Sequence, residues 1–179
     1  MTFQISKIRV FAIALCLMAS ISINAQEVSQ MQSLIEQSLS KIQQPTPEAY
    51  LNCIAELERI DAMFPDSIQP KQQMVLQSLF FSVMNPQTEQ TNRLITQAEQ
   101  TINQIEQMKG ADKSDVYTLR GFLYMVRIVQ DPAQNGQRYY LDVMQNYEKA
   151  LKLNPNNQLA RELQEKFFEG MKQATGGMN

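Results

Sequence analysis

Two arginines and a tyrosine stand at helical spacing near the middle of the chain, at Arg120, Tyr124 and Arg127. Residues three and four apart lie on one side of a helix, so these side chains would face the same way. Arginine and tyrosine are enriched where proteins bind each other, and a guanidinium pairs well with a carboxylate. We therefore expect a site that holds a carboxylate or chain terminus of a partner. Its candidate residues are Arg120, Tyr124, Arg127, Arg138, Tyr139 and Tyr140.

The same residues also have a purely structural interpretation. Tyr124 would then pack in the core, while the arginines pair with nearby acids and cap helices. The sequence leaves both interpretations open.

The chain offers little for other chemistry. It contains no histidine, which excludes Ser-His and Cys-His catalysis. Cys53 lies among apolar residues, so we interpret it as buried filler rather than as a reactive thiol. Glu56 and Glu58 would point to different sides of a helix, and Asp112 and Asp115 are placed where a helix begins. We predict no catalytic residue, no metal site and no cofactor.

The first 25 residues have the layout of a secretory signal. Lys7 and Arg9 give a basic start, an apolar run follows from Val10 to Ala19, and a polar stretch ends at Ala25. The run is too short to span a bilayer. We expect cleavage after Ala25 and a periplasmic or secreted protein.

Composition narrows the possible partners. Removing the signal leaves 14 basic residues against 18 acidic ones, with no basic block, which argues against nucleic acid. No later segment is apolar for long enough to cross a membrane. Only Cys53 remains, so no internal disulfide can form. A protein or peptide of the cell envelope is the partner we expect; the sequence indicates no oligomeric state.

Apolar residues recur every three or four positions in each long segment, which predicts an all-α domain over residues 26–174. We expect a flexible tail at 175–179. Start and stop residues set the expected helix bounds. We place a loop at "DPAQNG" and a capping box at Asp66 and Gln69. The predicted helices are Val28 to Ile42, Thr46 (as N-cap) to Met63, Asp66 to Met84, Thr88 to Met108, Asp112 or Ser114 to Val129, Gln137 to Leu153, and one after Pro155.

A pattern recurs every 45 residues. Each copy is a row of apolar residues spaced by four and three, followed five residues later by a helix breaker. Such a fixed period in a helical chain indicates stacked helix pairs, because one pair cannot bury its apolar face alone. The three copies are Cys53, Leu57, Ile60 and Pro65; Ala98, Ile102, Ile105 and Gly110; and Val143, Tyr147, Ala150 and Pro155.

The third copy resembles the second half of a tetratricopeptide repeat (TPR), which has the pattern small-x-x-x-aromatic-x-x-Ala-x-x-x-x-Pro. Tyr117, Gly121 and Tyr124 are similar to its first half. Each unit here is longer than the usual period of about 34 residues, and Val143 replaces the small residue. The resemblance covers about Thr46 to Phe168 and extends to short exported TPR-like proteins of Bacteroidota.

The resemblance implies a solenoid of about three antiparallel helix pairs with a terminal helix, and a periplasmic location. It carries no catalytic residues. We expect a non-catalytic protein that mediates protein–protein or peptide interaction as a scaffold or assembly helper. The alternative is a periplasmic protein that binds a small ligand in a groove lined by the arginines and tyrosines.

Overall fold

The computed structural model describes residues 26–174, which contain seven helices and no strand. The expected all-α fold is confirmed for this part of the chain. The predicted signal at 1–25 and the predicted tail at 175–179 lie outside the described residues. The helices are α1 (26–40), α2 (Pro47–Met63), α3 (Ile68–Met84), α4 (Glu89–Gln107), α5 (Lys113–Gln130), α6 (Pro132–Leu153) and α7 (Gln158–Ala174).

Three predicted helix starts are confirmed by their side-chain caps. The Thr46 hydroxyl accepts a hydrogen bond from the backbone N–H of Ala49 at 3.2 Å, with Pro47 as the first helical residue. Thr88 caps α4 in the same way, and a carboxylate oxygen of Asp112 accepts from the Ser114 N–H at 2.7 Å. Each cap satisfies a backbone donor that has no partner within its own helix.

The capping box predicted at Asp66 and Gln69 is wrong. Ser67 precedes α3 as its N-cap, and its side chain makes no capping hydrogen bond. The turn is held instead by Lys71, which is 2% exposed. Its ammonium group donates to the Asp61 carboxylate and to the Pro65 carbonyl oxygen, both at 2.6 Å. A buried ammonium must be paired in this way, since an unpaired charge in the interior is very costly.

The loop predicted at "DPAQNG" is also wrong, because α6 begins at Pro132 rather than near Gln137. Asp131 caps the helix by accepting from the Gln134 N–H at 3.0 Å. Proline is well tolerated at the first helical position, where its missing N–H is not needed. With a good cap and 22 residues of helix, Gly136 does not break the structure.

The apolar residues of all three copies of the 45-residue pattern are buried. Each is at most 6% exposed. The residues that precede α3, α5 and α7 also follow this period, at Ser67, Asp112 and Asn157. The nine buried apolar residues of the three copies are Cys53, Leu57, Ile60, Ala98, Ile102, Ile105, Val143, Tyr147 and Ala150.

Each helix from α2 to α7 packs against its neighbours in the chain, and two further contacts join α3 to α5 and α5 to α7. The rings of Phe80 and Phe122 lie edge to face across the α3–α5 contact, with centroids 5.1 Å apart. Helices α3, α5 and α7 therefore lie side by side in one layer.

Helix α1 belongs to the packed domain. Met31 and Ile35 share a buried cluster with Cys53 and Leu57 of α2. The hydroxyl of Ser38 lies 3.4 Å from the Cys53 sulfur. Among residues 26–174, none of the helices combines the length and the apolar character needed to cross a membrane.

Helices α5 and α6 approach each other closely at Gly121. A Cβ atom at this position would lie 2.9 Å from Cε1 of Tyr147, whose side chain is fully buried. Real Cβ atoms do not sit this close to another carbon, so the ring or the helix would have to move. In the core, such overpacking costs roughly 1–3 kcal/mol.

We predict that Gly121→Ala lowers the free energy of unfolding by about 1–2 kcal/mol, although alanine is the better helix former. Gly136→Ala is the matched control, because nothing lies within 4 Å of a Cβ atom there. This control should raise the free energy of unfolding by about 0.5–1 kcal/mol. Urea denaturation followed by circular dichroism measures both values. Equal stabilisation by the two substitutions would contradict the close approach of α5 and α6.

Candidate functional site

The predicted arginine and tyrosine residues fall into three places rather than one. Arg120 lies apart from the others and reaches from α5 to α4. Its guanidinium donates to the Glu106 carboxylate at 2.9 Å and to the Asn103 side-chain oxygen at 3.0 Å.

Tyr124, Arg127, Arg138 and Tyr139 form one cluster. The rings of Tyr124 and Tyr139 are stacked with centroids 5.4 Å apart. The guanidinium carbon of Arg127 lies 5.6 Å from the Tyr139 ring centroid, and that of Arg138 lies 5.0 Å from it. Cations at this distance are attracted to the negative face of the ring. Tyr139 is thus held by an aromatic partner and by two arginines.

Arg127 has further partners within the fold. It donates to the Tyr139 hydroxyl at 3.1 Å and to the Glu99 carboxylate of α4 at 2.7 Å. Its Nε atom is buried and has no hydrogen-bond partner among the residues that the structure describes. The contacts of Tyr124, Arg120 and Arg127 match the structural interpretation, whereas Arg138 contacts the Tyr139 ring and pairs with no acid among the residues that the structure describes. A partner-binding role for Arg127 stays a prediction.

Tyr140 faces a different helix from its neighbour Tyr139. Its ring centroid lies 5.6 Å from that of Phe167, so it helps attach α7 to α6. Adjacent helical residues diverge by about a quarter turn or more, which explains why these two tyrosines separate.

Cys53, Glu56 and Asp112 have contacts within the fold. Cys53 is 2% exposed, and burial raises the pKa of its thiol. The hydrogen bond from Lys41 at 2.7 Å lowers the pKa of Glu56. Asp112 caps α5, as described above. No group of three histidine, cysteine or carboxylate side chains within residues 26–174 is arranged to hold a metal ion.

The layer of α3, α5 and α7 contains a cleft that the sequence did not reveal. Its volume is about 180 Å³, and all three helices contribute to its walls. Polar and apolar side chains line it together. The lining residues are Gln72, Gln73, Leu76, Asp115, Thr118, Leu119 and Leu159.

Asp115 supplies the charge in this cleft. Gln72 donates to one of its carboxylate oxygens at 3.3 Å, and Asn157 donates to the other at 3.2 Å. Partial burial, and then the nearby charge of Asp112, raise the pKa of this carboxyl. Within residues 26–174, no lysine or arginine lies within ion-pair distance of Asp115. The cleft therefore contains a half-buried carboxylate with no cationic partner in the described chain.

Asn157 connects two of the helices at this end of the cleft. Besides Asp115, its amide nitrogen lies 2.9 Å from the Ser114 hydroxyl oxygen and 3.2 Å from that of Thr118, so its two hydrogens are shared among three acceptors. Its oxygen accepts from the Ala160 N–H at 3.0 Å and so caps α7. One buried side chain thus joins the starts of α5 and α7.

Sequence reasoning missed the cleft because its polar residues lie on three separate helices. Gln72 and Asp115 are 43 residues apart, and Asp115 and Asn157 are 42 apart. These separations are close to the 45-residue period. That period was the one signal in the sequence that these residues could lie near each other. Asp115 was interpreted only as a charge near a helix start.

Comparisons with protein-family models, with curated proteins and with solved structures found no match for the chain.

We predict that Asp115→Asn stabilises the protein at neutral pH. The pKa of Asp115 is raised in the folded state, so its ionised form opposes folding at pH values above that pKa. The gain should shrink as the pH falls through the carboxyl pKa, because the wild-type carboxyl then becomes neutral as well.

Melting temperatures measured across the acidic and neutral range check this dependence. The control is Asp66→Asn, which removes the same charge from an exposed position. A stabilisation by Asp115→Asn that stays constant from acid to neutral pH would exclude the charge as its cause.

Proposed function

We propose that the protein is a non-catalytic, exported TPR-like solenoid that binds a protein or peptide partner in the periplasm, as a scaffold or assembly helper. The proposed solenoid consists of three helix pairs, α1–α2, α3–α4 and α5–α6, with α7 as the terminal helix.

The turns between the pairs support a repeated architecture. The ammonium group of Lys71 donates to the Pro65 carbonyl oxygen, and the guanidinium of Arg161 donates to the Pro155 carbonyl oxygen, both at 2.6 Å. Each basic residue follows its proline by six positions. The second proline and its arginine lie two 45-residue periods after the first proline and its lysine. The middle turn contains Gly110 instead, with a φ of 85°, a conformation that glycine adopts readily.

The observation that carries the proposal is the layer formed by α3, α5 and α7. Stacked helix pairs present one helix of each pair on a continuous face, and such faces bind extended partners. The cleft on this layer is smaller than most small-molecule pockets, which measure about 300–1,000 Å³. A volume of about 180 Å³ suits one side chain of a larger partner.

The small-ligand alternative has weaker support. The guanidinium groups of Arg120 and Arg127 already contact Glu106 and Glu99 at hydrogen-bond distance. A ligand carboxylate would have to displace these acids. We therefore place the partner on the α3–α5–α7 layer rather than on the arginine and tyrosine set.

If the protein is exported as proposed, its mature chain begins at one defined residue. We expect the form recovered from the periplasm of an expressing bacterium to begin at Gln26, because signal cleavage would follow Ala25. Mass spectrometry of the N-terminal peptide measures this directly. Recovery of the protein only in the cytoplasm, with its first residues intact, would contradict the proposed location.

Site-specific photo-crosslinking tests the binding face. A photoreactive phenylalanine analogue replaces Gln73, which lines the cleft, in the full-length chain expressed in its native cells. The matched variant carries it at Gln100, an exposed position of α4 outside the layer. We expect one reproducible protein adduct from position 73 and none from position 100.

Adducts are identified by mass spectrometry after purification under denaturing conditions. The absence of any adduct at position 73, or the same set of adducts at both positions, would exclude the proposed binding face.

A further inference from the structure

The carboxylate of Asp115 has an incomplete set of partners. It lies in a cleft between three helices and accepts hydrogen bonds from two neutral amides, Gln72 and Asn157. No cation of the described chain pairs with it. A partly buried charge without a counter-ion is unfavourable, so the site is better satisfied when a cation enters.

We propose that this cleft receives an arginine side chain of the partner protein and that Asp115 pairs with its guanidinium. This inference rests on the proposed function, since it names the chemistry by which the same face would recognise its partner.

The walls of the cleft suit a side chain with an apolar stem and a charged end. Leu76, Leu119 and Leu159 come from α3, α5 and α7 in turn, and all three line the cleft with Asp115. Long basic side chains lay their methylene groups on apolar surface while the charged end reaches a polar partner. Gln73 and Thr118 add hydrogen-bonding groups to the same walls.

The carboxylate retains room for a guanidinium. An ionised carboxylate offers about four acceptor positions, two on each oxygen. Gln72 donates to Oδ2 and Asn157 donates to Oδ1, so each oxygen keeps one acceptor position. A guanidinium can donate two parallel hydrogen bonds to the two oxygens of a carboxylate, which a lysine ammonium cannot match.

The polar network holds Asp115 ready for this contact. Asn157 also bonds to Ser114 and Thr118, and the Ser114 hydroxyl donates to the Ala150 carbonyl oxygen of α6 at 2.9 Å. Binding would therefore immobilise few additional groups of this protein, which lowers its entropic cost.

The probe for this site is n-butylguanidinium, which reproduces the end of an arginine side chain. Its neutral control is n-butylurea, which has nearly the same shape. Each is titrated into the ¹⁵N-labelled protein, residues 26–179, while amide chemical shifts are followed by NMR. We expect saturable shifts confined to residues around the cleft, including Leu76, Leu119 and Leu159. Butylurea should produce none of comparable size.

Two variants separate pairing with Asp115 from general attraction to acidic surface. Asp115→Asn should weaken butylguanidinium binding by about tenfold or more, since charge-assisted hydrogen bonds are lost. Asp112→Asn removes the same charge one turn earlier, outside the cleft lining, and asparagine caps helices as well as aspartate does. Its effect should be clearly smaller than that of Asp115→Asn, because the Asp112 carboxylate lies outside the cleft and would attract the probe without a hydrogen bond.

Well-dispersed amide spectra of each variant before titration establish that it is folded. Equal binding by wild type and Asp115→Asn, or shifts spread over the surface, would overturn the proposal. So would butylurea binding as tightly as the cation.

The crosslinked partner distinguishes this inference from the proposed function. If position 73 captures a partner whose yield is unchanged by Asp115→Asn, the arginine contact is wrong and the binding face stands. If the probe binds the cleft but position 73 captures no protein, a free small cation is the ligand. The proposed protein partner is then wrong.

Discussion

The contact between Gly121 and the ring of Tyr147 sets the arrangement on which the rest of the domain depends. Tyr147 is fully buried, and its ring occupies the space that a side chain at position 121 would need. Helices α5 and α6 can approach this closely because glycine has no Cβ atom. The Tyr147 hydroxyl has no hydrogen-bond partner within residues 26–174, so the ring acts mainly through its shape. Burial accordingly raises the pKa of this hydroxyl far above its ordinary value.

Helix α5 packs against α6 on one side and contacts α3 and α7 on another. The three helices then bring polar groups together that are more than forty residues apart in the chain. The Asn157 amide lies within hydrogen-bond distance of Ser114, Thr118 and Asp115, and Gln72 donates to Asp115 from α3. The apolar contacts between these helices thus also form the charged cleft.

Much of the fold could be predicted from the sequence because its signals are local. Apolar spacing located the helices, and Thr46, Thr88 and Asp112 marked three of their starts. The predicted loop at "DPAQNG" is wrong because the Asp131 cap and a proline at the first helical position outweigh the weak helix propensity of its glycine and asparagine. The burial of Lys71 depends on the carbonyl oxygen of Pro65, which the sequence does not position.

The site was harder to predict than the fold. Helical spacing brought Tyr124 and Arg127 together, and Tyr139 joined them through contacts between α5 and α6. The sequence does not predict the cleft around Asp115, because its surroundings depend on the rotation of three helices about their axes. NMR measurement of nuclear Overhauser effects in the folded protein tests the contact between α5 and α6 most directly. Strong effects between the Gly121 α-protons and the Tyr147 ring protons, with the α-protons shifted upfield by the ring, are the expected result. Their absence in an assigned spectrum would contradict the packing of the Tyr147 ring against Gly121.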